Sequence, residues 1–399
     1  MDMPKKSMDF HGTPVVKVSR RGANRLKDGH VWVYRSDIVD ANGIAPGALV
    51  AVADDRGKPL GTALYSSASQ IAIRIISADA VKDFCALLRK RIREAIAYRE
   101  RIVGDTDAYR IVFSEADFLP GLIVDRYNDL LSLQVLTQAM DTEVARQAIL
   151  AELSERLAPQ AIVERVDPRV RELEQLPERS SSLLQGEKKS TVFTMNGVRF
   201  HHDALEGQKT GSFLDQRENY AAAAQYARGE ALDVFCYHGG FALHLAQRCS
   251  KVTGVDSSRA ALEVADRNAE LNGRDIEWIE ANAFDLLRDY ASAGQQYDTV
   301  VLDPPAFAKS KSNLDTALRG YKELNLRALR MLRPGGILVT CSCSYHVSPI
   351  DFLQIVTQAA HDTHRTVRLL ESRTQAKDHP ILLTVPETAY LKCLILSVS

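Results

Sequence analysis

The chain has 399 residues, enough for two or three domains, and 45% hydrophobic with 25% charged residues is the composition of an ordinary globular protein. Its formal net charge of -1 excludes a polycation that binds nucleic acid over its whole surface, although basic residues exceed acidic ones in the first 110. No apolar run reaches the ~18 residues that span a bilayer, and the start lacks the apolar core of a signal peptide, so we expect a cytoplasmic protein.

The first 80 residues have the pattern of a small β domain. Short apolar segments alternate with turn signals such as Asp54-Asp55-Arg56-Gly57. Between residues 20 and 35, basic side chains including Arg20 and Arg21 are interleaved with aromatic ones in a segment predicted to be loop and strand. Such a segment can bind phosphates and stack on bases, and the alternative is a solvated loop over a sheet edge.

Residues 81–195 are predicted to form a middle α+β domain without a catalytic constellation, which suggests a platform for the substrate. Its predicted elements are a helix over residues 80–104, two strands between Arg110 and Leu136, a helix from Asp141 to Leu157, a strand from Ala161 to Val166 and a hairpin through Asn196-Gly197.

A glycine-containing segment follows the hairpin. Gly207 and Gly211 predict backbone dihedrals that other residues avoid. Phe213, Asp215 and Arg217 offer a ring, a carboxylate and a guanidinium, which suit an amino-acid group with one ammonium and one carboxylate. The alternative is a salt bridge between Asp215 and Arg217 at the start of the next helix.

The strongest pattern lies between Glu230 and Asp256. A strand from Ala231 to Phe235, a turn with Gly239 and Gly240, a helix, and a second strand that ends at Asp256 form half of a nucleotide-binding α/β unit. The G-x-G-x-x-G fingerprint for a pyrophosphate is absent. Because a carboxylate can still accept both hydroxyls of a ribose, the pattern favours S-adenosylmethionine over NAD.

Two later strands of the same unit end in candidate site residues. The strand Ile276 to Ile279 is followed by Asn282-Ala283-Phe284, an amide and a ring that could read adenine at the carboxyl edge of the sheet. The strand Thr299 to Leu302 leads into Asp303-Pro304-Pro305-Ala306-Phe307. The two prolines fix the backbone, so carbonyl groups and the Asp303 carboxylate can face a planar nitrogenous substrate.

In a large chain that is expected to be cytoplasmic, the six cysteines do not predict a disulfide framework. They predict no zinc site either, because no C-x-x-C pair with partner histidines is present. The only close pair, Cys341 and Cys343, follows a fifth strand predicted from Gly336 to Thr340. Both thiols share one face if the strand persists, and a bend would separate them. One thiolate could attack C6 of a pyrimidine and make C5 nucleophilic toward a methyl sulfonium, and the alternative is two small buried side chains.

Six motifs occur in one order: GQKTGSFLDQRENY, LDVFCYHGGFALHLA, GVDSS, LDPPAFAKSK, TCSCSYHV and HPILLTVPETAYLK. With them, residues 110–399 resemble the bacterial ribosomal RNA large-subunit methyltransferase I group of cytosine-C5 methyltransferases. VVKVSRRGANRLKDGHVWVYRSDI extends the resemblance to a PUA domain. The resemblance implies an α/β protein with a PUA-like RNA-binding domain (1–80), a middle α+β domain (81–195) and a Rossmann-like class I methyltransferase domain (196–399).

The resemblance also implies S-adenosylmethionine as donor and 23S ribosomal RNA, unassembled or partly assembled, as acceptor. The family's catalytic thiol falls on Cys343. Other RNA cytosine-C5 methyltransferases carry a Pro-Cys where this chain has Pro304-Pro305, so the group that removes the C5 proton has no candidate. Asp303 is expected to bind the edge of the cytosine. A homodimer is left open.

The candidate site residues fall into three groups, and none of them is assigned as a metal ligand. Catalysis is assigned to Cys343 and Asp303. Cofactor binding is assigned to Phe213, Asp215, Arg217, Asp233, Phe235, Cys236, Tyr237, Gly239, Asp256, Ser257, Asn282, Ala283, Phe284 and Asp303. Substrate binding is assigned to Pro304, Pro305, Phe307, Arg20 and Arg21.

Two other classes of function remain open at this point. An amino-directed methyltransferase for adenine or guanine uses a similar Asp-Pro-Pro-aromatic turn and needs no cysteine. A non-catalytic RNA-binding protein that keeps the fold would bind RNA without methyl transfer, although intact cofactor motifs argue against it.

Overall fold

The computed structural model describes residues 10, 12–205, 211–308 and 311–399, so Gly207 lies outside the described residues, while Gly211 has the expected left-handed backbone with φ of 136°. Three sheets and one hairpin follow one another along this part of the chain. No helix within these ranges combines the length and apolar character needed to cross a bilayer.

The N-terminal domain is a six-stranded sheet with one short helix. Its elements are β1 (Val15–Val18), α1 (Arg20–Lys27), β2 (Trp32–Tyr34), β3 (Ile38–Asp40), β4 (Leu49–Ala53), β5 (Pro59–Tyr65) and β6 (Ile71–Ser77). The strands lie in the order β2-β6-β5-β4-β1-β3 and enclose a core of valines, alanines and Ile73. The small β domain predicted for this region is therefore confirmed.

Helix α1 corrects the prediction of loop and strand for residues 20 to 35. The helix begins because the Ser19 hydroxyl accepts a hydrogen bond from the Gly22 N–H at 3.2 Å. Gly22 and Ala23 are buried against the sheet, so two small residues suffice to seat the helix. Apart from Leu26, which packs against the core, its other positions are basic or polar, and this is why no apolar periodicity indicated the helix.

The middle domain is a five-stranded sheet covered by two long helices. Its elements are α2 (Phe84–Ile102), β7 (Ala108–Phe113), β8 (Leu122–Tyr127), β9 (Leu130–Val135), α3 (Glu143–Leu157), β10 (Ala161–Glu164), α4 (Pro168–Glu174) and β11 (Ser182–Gly186). The strand order is β11-β10-β9-β8-β7. The two strands predicted to join near residues 127–129 are β8 and β9, and the predicted turn at Phe118, with φ of 54°, precedes them. The additional strand β7 lies before that turn.

A hairpin of β12 (Ser190–Met195) and β13 (Val198–Asp203) connects the middle and C-terminal domains, as predicted. Its buried side chains, among them Phe193 and Phe200, join the apolar cluster of the C-terminal sheet. The domain boundary predicted between residues 195 and 196 falls within the turn of this hairpin. We therefore propose that the C-terminal domain begins before Ser190.

The C-terminal domain is a seven-stranded sheet between two layers of helices. Its elements are α5 (Arg217–Tyr226), β14 (Glu230–Val234), α6 (Gly240–Leu245), β15 (Lys251–Asp256), α7 (Arg259–Leu271), β16 (Glu277–Glu280), α8 (Ala283–Ser292), β17 (Tyr297–Leu302), α9 (Leu314–Met331), β18 (Leu332–Ser342), α10 (Pro349–Asp362), β19 (Val367–Arg373) and β20 (Lys392–Val398).

The strand order of this sheet is β16-β15-β14-β17-β18-β20-β19, and β20 runs in the direction opposite to the other six strands. The order reverses at β14, which pairs with β15 on one side and β17 on the other. In an open α/β sheet, ligands bind outside the carboxyl ends of the strands at such a switch point. The fold therefore predicts a ligand site at the carboxyl ends of β14, β15 and β17.

The segment between β19 and β20 connects the three domains. The carboxylate of Asp378 accepts a hydrogen bond from Arg217 Nη2 at 2.9 Å and another from the backbone N–H of Arg110 at 2.8 Å. Burial opposes ionisation of Asp378, but His379 and Arg217 hold its pKa well below the usual value. Farther along, Glu387 lies 3.1 Å from a ring nitrogen of His30 in the N-terminal domain.

Candidate functional site

The backbone turns sharply after β14. Phe235 and Tyr237 have φ of 68° and 48°, and Gly239 has φ of 81°. The N–H groups of Phe235 and Cys236 both donate to the Val255 carbonyl, at 2.8 and 3.0 Å, which fixes the turn against β15. Left-handed φ values are strained for residues other than glycine and concentrate at functional sites.

Asp256, at the end of β15, has a carboxylate held in place by the backbone. Its Oδ2 accepts a hydrogen bond from the Tyr237 N–H, and its Oδ1 accepts one from the Ser258 N–H, each at 2.9 Å. A carboxylate offers about four acceptor positions, so both oxygens can still accept hydroxyl groups. This fixed acid is suited to binding a diol.

A cavity of about 360 Å³ opens at the carboxyl ends of β14, β15 and β17, where the topology directs a ligand. The structure brings most of the predicted residues together around it. The predicted residues that line the cavity are Phe213, Asp215, Phe235, Cys236, Tyr237, Asp256, Ser257, Asp303, Pro304, Pro305 and Cys343.

Two carboxyl groups at this cavity have raised pKa values. Burial raises the pKa of Asp303 to about 8, and the negative charges of Asp215 and Asp233 add to the shift, while Gln216 Nε2 donates to Asp303 Oδ1 at 3.0 Å. Burial also raises the pKa of Asp233 to about 7, despite a hydrogen bond from the Ala242 N–H at 2.8 Å. A cation that enters the cavity would favour the ionised form of these groups.

Asp215 has one oxygen that lacks a partner. Tyr390 donates its hydroxyl proton to Asp215 Oδ2 at 2.6 Å, whereas Asp215 Oδ1 is buried and accepts no hydrogen bond from any residue that the structure describes. Leaving a buried carboxylate oxygen unsatisfied is costly. Because Asp215 lines the cavity, this oxygen marks a place for a donor on a ligand.

The two neighbouring cysteines have different environments. Strand β18 continues to Ser342, beyond the predicted end, and Cys341 is fully buried opposite Cys393 of β20, where burial raises the pKa of its thiol well above the usual value. Cys343 follows the strand end, is half-buried and lines the cavity, with its Sγ 3.9 Å from the Pro304 carbonyl oxygen. The strand end therefore separates the two thiols.

A buried lysine lies near Cys343. Lys392 Nζ donates to the carbonyls of Ser344 and Tyr390, at 2.7 and 2.8 Å. Burial lowers the pKa of Lys392 to about 8, and the charge of Cys343 opposes that shift. An ammonium group coupled to a thiol in this way favours the thiolate.

Arg217 was predicted to bind the cofactor, but it does not line the cavity, so this assignment is corrected. It is buried and donates to Asp378, as described for the interdomain segment, and it approaches Glu218 at 3.5 Å. The alternative salt bridge between Asp215 and Arg217 does not form either, because Asp215 accepts from Tyr390. Arg217 therefore positions the chain around the site and does not contact the ligand space.

The predicted adenine-reading segment lies beside the cavity lining. Asn282 caps α8, with its Oδ1 accepting from the Phe284 N–H at 2.9 Å, and Ala283 is buried in the core. The exposed ring of Phe284 lies 5.9 Å from the ring of Phe307, which packs at 4.8 Å on Tyr321. None of the four predicted residues, Asn282, Ala283, Phe284 and Phe307, is among those that line the cavity.

Asp233 and Gly239 also support the cavity without lining it. Asp233 is fully buried and anchors the start of α6 through the Ala242 N–H. A Cβ on Gly239 would lie 3.0 Å from the Trp278 ring, in addition to the strain of a left-handed backbone. Both residues therefore shape the turn that carries Phe235 and Tyr237.

Arg20 and Arg21 lie on α1 and do not line this cavity. They border a shallow groove on the N-terminal domain that also contains Arg25 and residues 383, 384 and 386. Arg21 donates to Asp37 at 2.7 Å although its side chain is 68% exposed, and Arg20 is exposed. The groove is basic and open, as a phosphate-binding surface requires.

Several cavity residues had no assignment from the sequence. They include Ser212, Gln216, Tyr220, His238, Tyr390 and Leu391. Tyr390 and Leu391 belong to the late motif HPILLTVPETAYLK, which could have suggested them. They reach the cavity because β20 pairs antiparallel with β18, which brings the end of that motif beside the cavity. This long-range pairing is not indicated by the motif itself.

The chain matches two family models. A PUA-like domain model matches residues 16–78, and an S-adenosylmethionine-dependent methyltransferase model matches residues 129–396. The ribosomal RNA large subunit methyltransferase I of Photobacterium profundum is 38% identical over 383 residues, covering 92% of this chain and 95% of the relative. The namesake from Tolumonas auensis is 40% identical over 379 residues, covering 92% and 94%.

Solved structures show the same fold. The protein SMU.776, a methyltransferase complexed with SAH, superposes with a TM-score of 0.83 and 19% identity over 96% of this chain and 100% of that one. A SAM-dependent methyltransferase from Streptococcus mutans gives 0.82 with the same identity and coverage. These likenesses and the family models confirm the predicted fold class, with its PUA-like domain and its class I methyltransferase domain.

Proposed function

Because the chain belongs to the ribosomal RNA large-subunit methyltransferase I family and uses S-adenosylmethionine as its cofactor, we propose that it methylates C5 of a cytosine in 23S ribosomal RNA through a covalent adduct with Cys343. The observation that carries this proposal is the position of Cys343. Its thiol lines the cavity beside Pro304, whereas Cys341 is buried in the sheet.

The residues around the cavity fit the cofactor. Asp256 retains acceptor capacity for the two ribose hydroxyls, and the unpartnered Oδ1 of Asp215 can accept from an amino-acid ammonium. Phe213 and Tyr237 supply rings whose centroids are 5.1 Å apart at the same wall. When bound, S-adenosylmethionine supplies the methyl group as an electrophile.

The chain's own groups act on the cytosine. The Cys343 thiolate forms a bond to C6, and the electron pair of the C5–C6 double bond moves so that C5 becomes nucleophilic. After C5 takes the methyl group and S-adenosylhomocysteine is left, C5 loses its proton to water, since no side chain is assigned as the base, the double bond forms again and the bond between C6 and Sγ breaks to restore the thiolate. Lys392 favours the thiolate, and the Asp303 carboxylate accepts from the exocyclic amine of the cytosine.

Product analysis tests the proposed reaction. Protein-free 23S ribosomal RNA is incubated with the protein and methyl-labelled S-adenosylmethionine, then digested to nucleosides for mass spectrometry. The expected product is 5-methylcytidine. Methylated adenosine or guanosine would support the amino-directed alternative, and RNA binding without transfer would support a non-catalytic role.

The proposed substrate is RNA that is unassembled or partly assembled. Since an enzyme must extrude its target base to act on it, transfer is expected to be faster on protein-free RNA than on assembled large subunits. The homodimer stays a prediction, which light scattering would test.

Cofactor affinity is expected to increase as the pH rises from about 6 to 7.5. Burial raises the pKa of Asp303 to about 8, so its carboxyl keeps its proton over this range until a cation enters the cavity. Binding a cation then releases that proton, and affinity gains up to about tenfold per pH unit. Calorimetry in buffers of different ionisation enthalpy measures both affinity and proton release.

Asp303→Asn should reduce this dependence to the part that Asp233 contributes, since an amide does not titrate in this range and burial raises the pKa of Asp233 to about 7. Glu280→Gln, at the exposed end of the edge strand β16, is the matched control and should keep the pH dependence. A pH-independent affinity in the unmodified protein would contradict the assignment of Asp303.

RNA binding is expected to weaken when Arg20 and Arg21 are both changed to Glu. Each arginine that contacts a phosphate releases counterions, so the plot of log affinity against log salt should become less steep by about one unit per lost contact. Cofactor affinity should stay unchanged, because neither residue lines the cavity. Fluorescence anisotropy over a salt series measures the slope. An unaltered slope would show that α1 is a solvated segment at the edge of the domain and does not contact RNA phosphates.

A further inference from the structure

A second cavity, of about 570 Å³, lies where the three domains meet. It borders the first cavity, because both are lined by Ser212, Phe213, Asp215 and Tyr390. The remaining walls come from β2 of the N-terminal domain, from β7 to β9 of the middle domain and from loops of the C-terminal domain. The proposed methylation of cytosine leaves this space without a function.

Aromatic side chains from all three domains face the second cavity. Trp32 and Tyr34 come from β2, Phe113 ends β7, Tyr345 follows Cys343 by two residues, and Tyr390 precedes β20. Tyr345 is 49% exposed, so its ring is available to a ligand. Aromatic faces of this kind stack on unpaired nucleobases.

The arginine and the indole N–H of the second cavity already have partners, so the cavity is not arranged to bind a phosphate. Arg110 donates from Nε and Nη2 to the two oxygens of Asp125, each at 2.8 Å, so its charge is already neutralised. The Trp32 indole N–H donates to Glu115 at 3.1 Å. By contrast, the Gln134 side-chain amide forms no hydrogen bond within the described ranges, which leaves a donor and an acceptor for the edge of a base.

We propose that the second cavity binds an unpaired nucleobase next to the target cytosine in the same RNA strand. The base stacks on Trp32 and Tyr345, and Gln134 binds its edge. This inference rests on the proposed RNA methylation. Because Tyr390 and Asp215 form a common wall, the target base at Cys343 and its neighbour occupy adjacent spaces. The RNA must then be single-stranded over at least these two nucleotides.

Tryptophan fluorescence offers a direct test. The chain has two tryptophans, so Trp278→Phe leaves Trp32 as the only one. This variant is titrated with a single-stranded oligoadenylate while the anisotropy of the same oligonucleotide, fluorescein-labelled, reports binding. We expect saturable quenching of the Trp32 emission, and the quenching curve should have the same midpoint as the anisotropy curve. A duplex of oligoadenylate with oligouridylate should not quench, because its bases are already stacked.

Substitution of the exposed aromatic side chain complements this test. Tyr345→Ala is expected to weaken oligoadenylate binding about tenfold and to leave cofactor affinity unchanged. Tyr290→Ala, on α8, is the matched control, because Tyr290 lines neither cavity and should not affect RNA binding.

The outcomes separate this inference from the proposed function. Anisotropy that rises without a change in Trp32 emission, or Tyr345→Ala that binds as well as Tyr290→Ala, would overturn the second cavity as a base site even if the protein forms 5-methylcytidine. Quenching together with methylated adenosine would overturn the cytosine assignment and leave the base site intact.

Discussion

Cys343→Ala is expected to abolish methyl transfer to ribosomal RNA, whereas Cys341→Ala keeps measurable turnover. Cys343 lines the cavity at the end of β18, and without its thiol no group can form the bond to C6. The loss should reach about 10⁴-fold or more, the scale expected when a covalent nucleophile is removed. Cys341 is fully buried against β20, so its substitution affects packing and stability first.

RNA that contains 5-fluorocytosine identifies the attacking thiol. Fluorine at C5 cannot leave as a proton does, so the adduct persists and peptide mapping can locate it. We expect the crosslink on Cys343, with normal cofactor affinity and folding in Cys343→Ala as controls. A crosslink on Cys341 would transfer the role of nucleophile, and no crosslink at all would favour the amino-directed methyltransferase.

The parts of the site that could be predicted from the sequence are those fixed by local order. A strand, a turn, a helix and an acid within 27 residues place Phe235, Tyr237 and Asp256 together, because consecutive strands of a parallel sheet present their carboxyl ends at one edge. The Asp303-Pro304-Pro305 turn follows the same rule. No long-range contact had to be known for these positions.

Arg217 shows what local order cannot supply. Its partner Asp378 lies 161 residues farther along the chain, in a segment without regular structure. The sequence offered only the nearby Asp215 as a partner, which in the structure accepts from Tyr390, 175 residues away. Such pairings depend on how β20 inserts between β18 and β19, which no local pattern specifies.

The orientation of the two cysteines could not be predicted from the sequence for a different reason. Their spacing leaves the orientation open, because a persistent strand places both thiols on one face and a strand end separates them. The end of β18 is determined by its pairing with β20, which continues to Ser342 opposite Lys392. The position of Cys343 in the cavity therefore follows from tertiary pairing rather than from the motif alone.

Asp256→Ala is expected to weaken S-adenosylmethionine binding about a hundredfold. The side chain can accept both ribose hydroxyls, and losing two hydrogen bonds to a carboxylate costs roughly 3 kcal/mol. The same carboxylate holds the Tyr237 and Ser258 N–H groups at 2.9 Å, so the turn after β14 also loses its acceptor. Asp256→Asn keeps one acceptor oxygen, so its affinity for S-adenosylmethionine should lie between that of the unmodified protein and that of Asp256→Ala.

Calorimetry with S-adenosylmethionine measures the effect of Asp256→Ala, and circular dichroism of the cofactor-free variant establishes that it folds. Glu280→Ala is the matched control, because Glu280 pairs with Asp256 in the register of β15 and β16 yet does not line the cavity. If Asp256→Ala bound the cofactor as tightly as Glu280→Ala does, other groups would have to hold the ribose. The role of Asp256 would then be limited to accepting hydrogen bonds from the backbone of the turn.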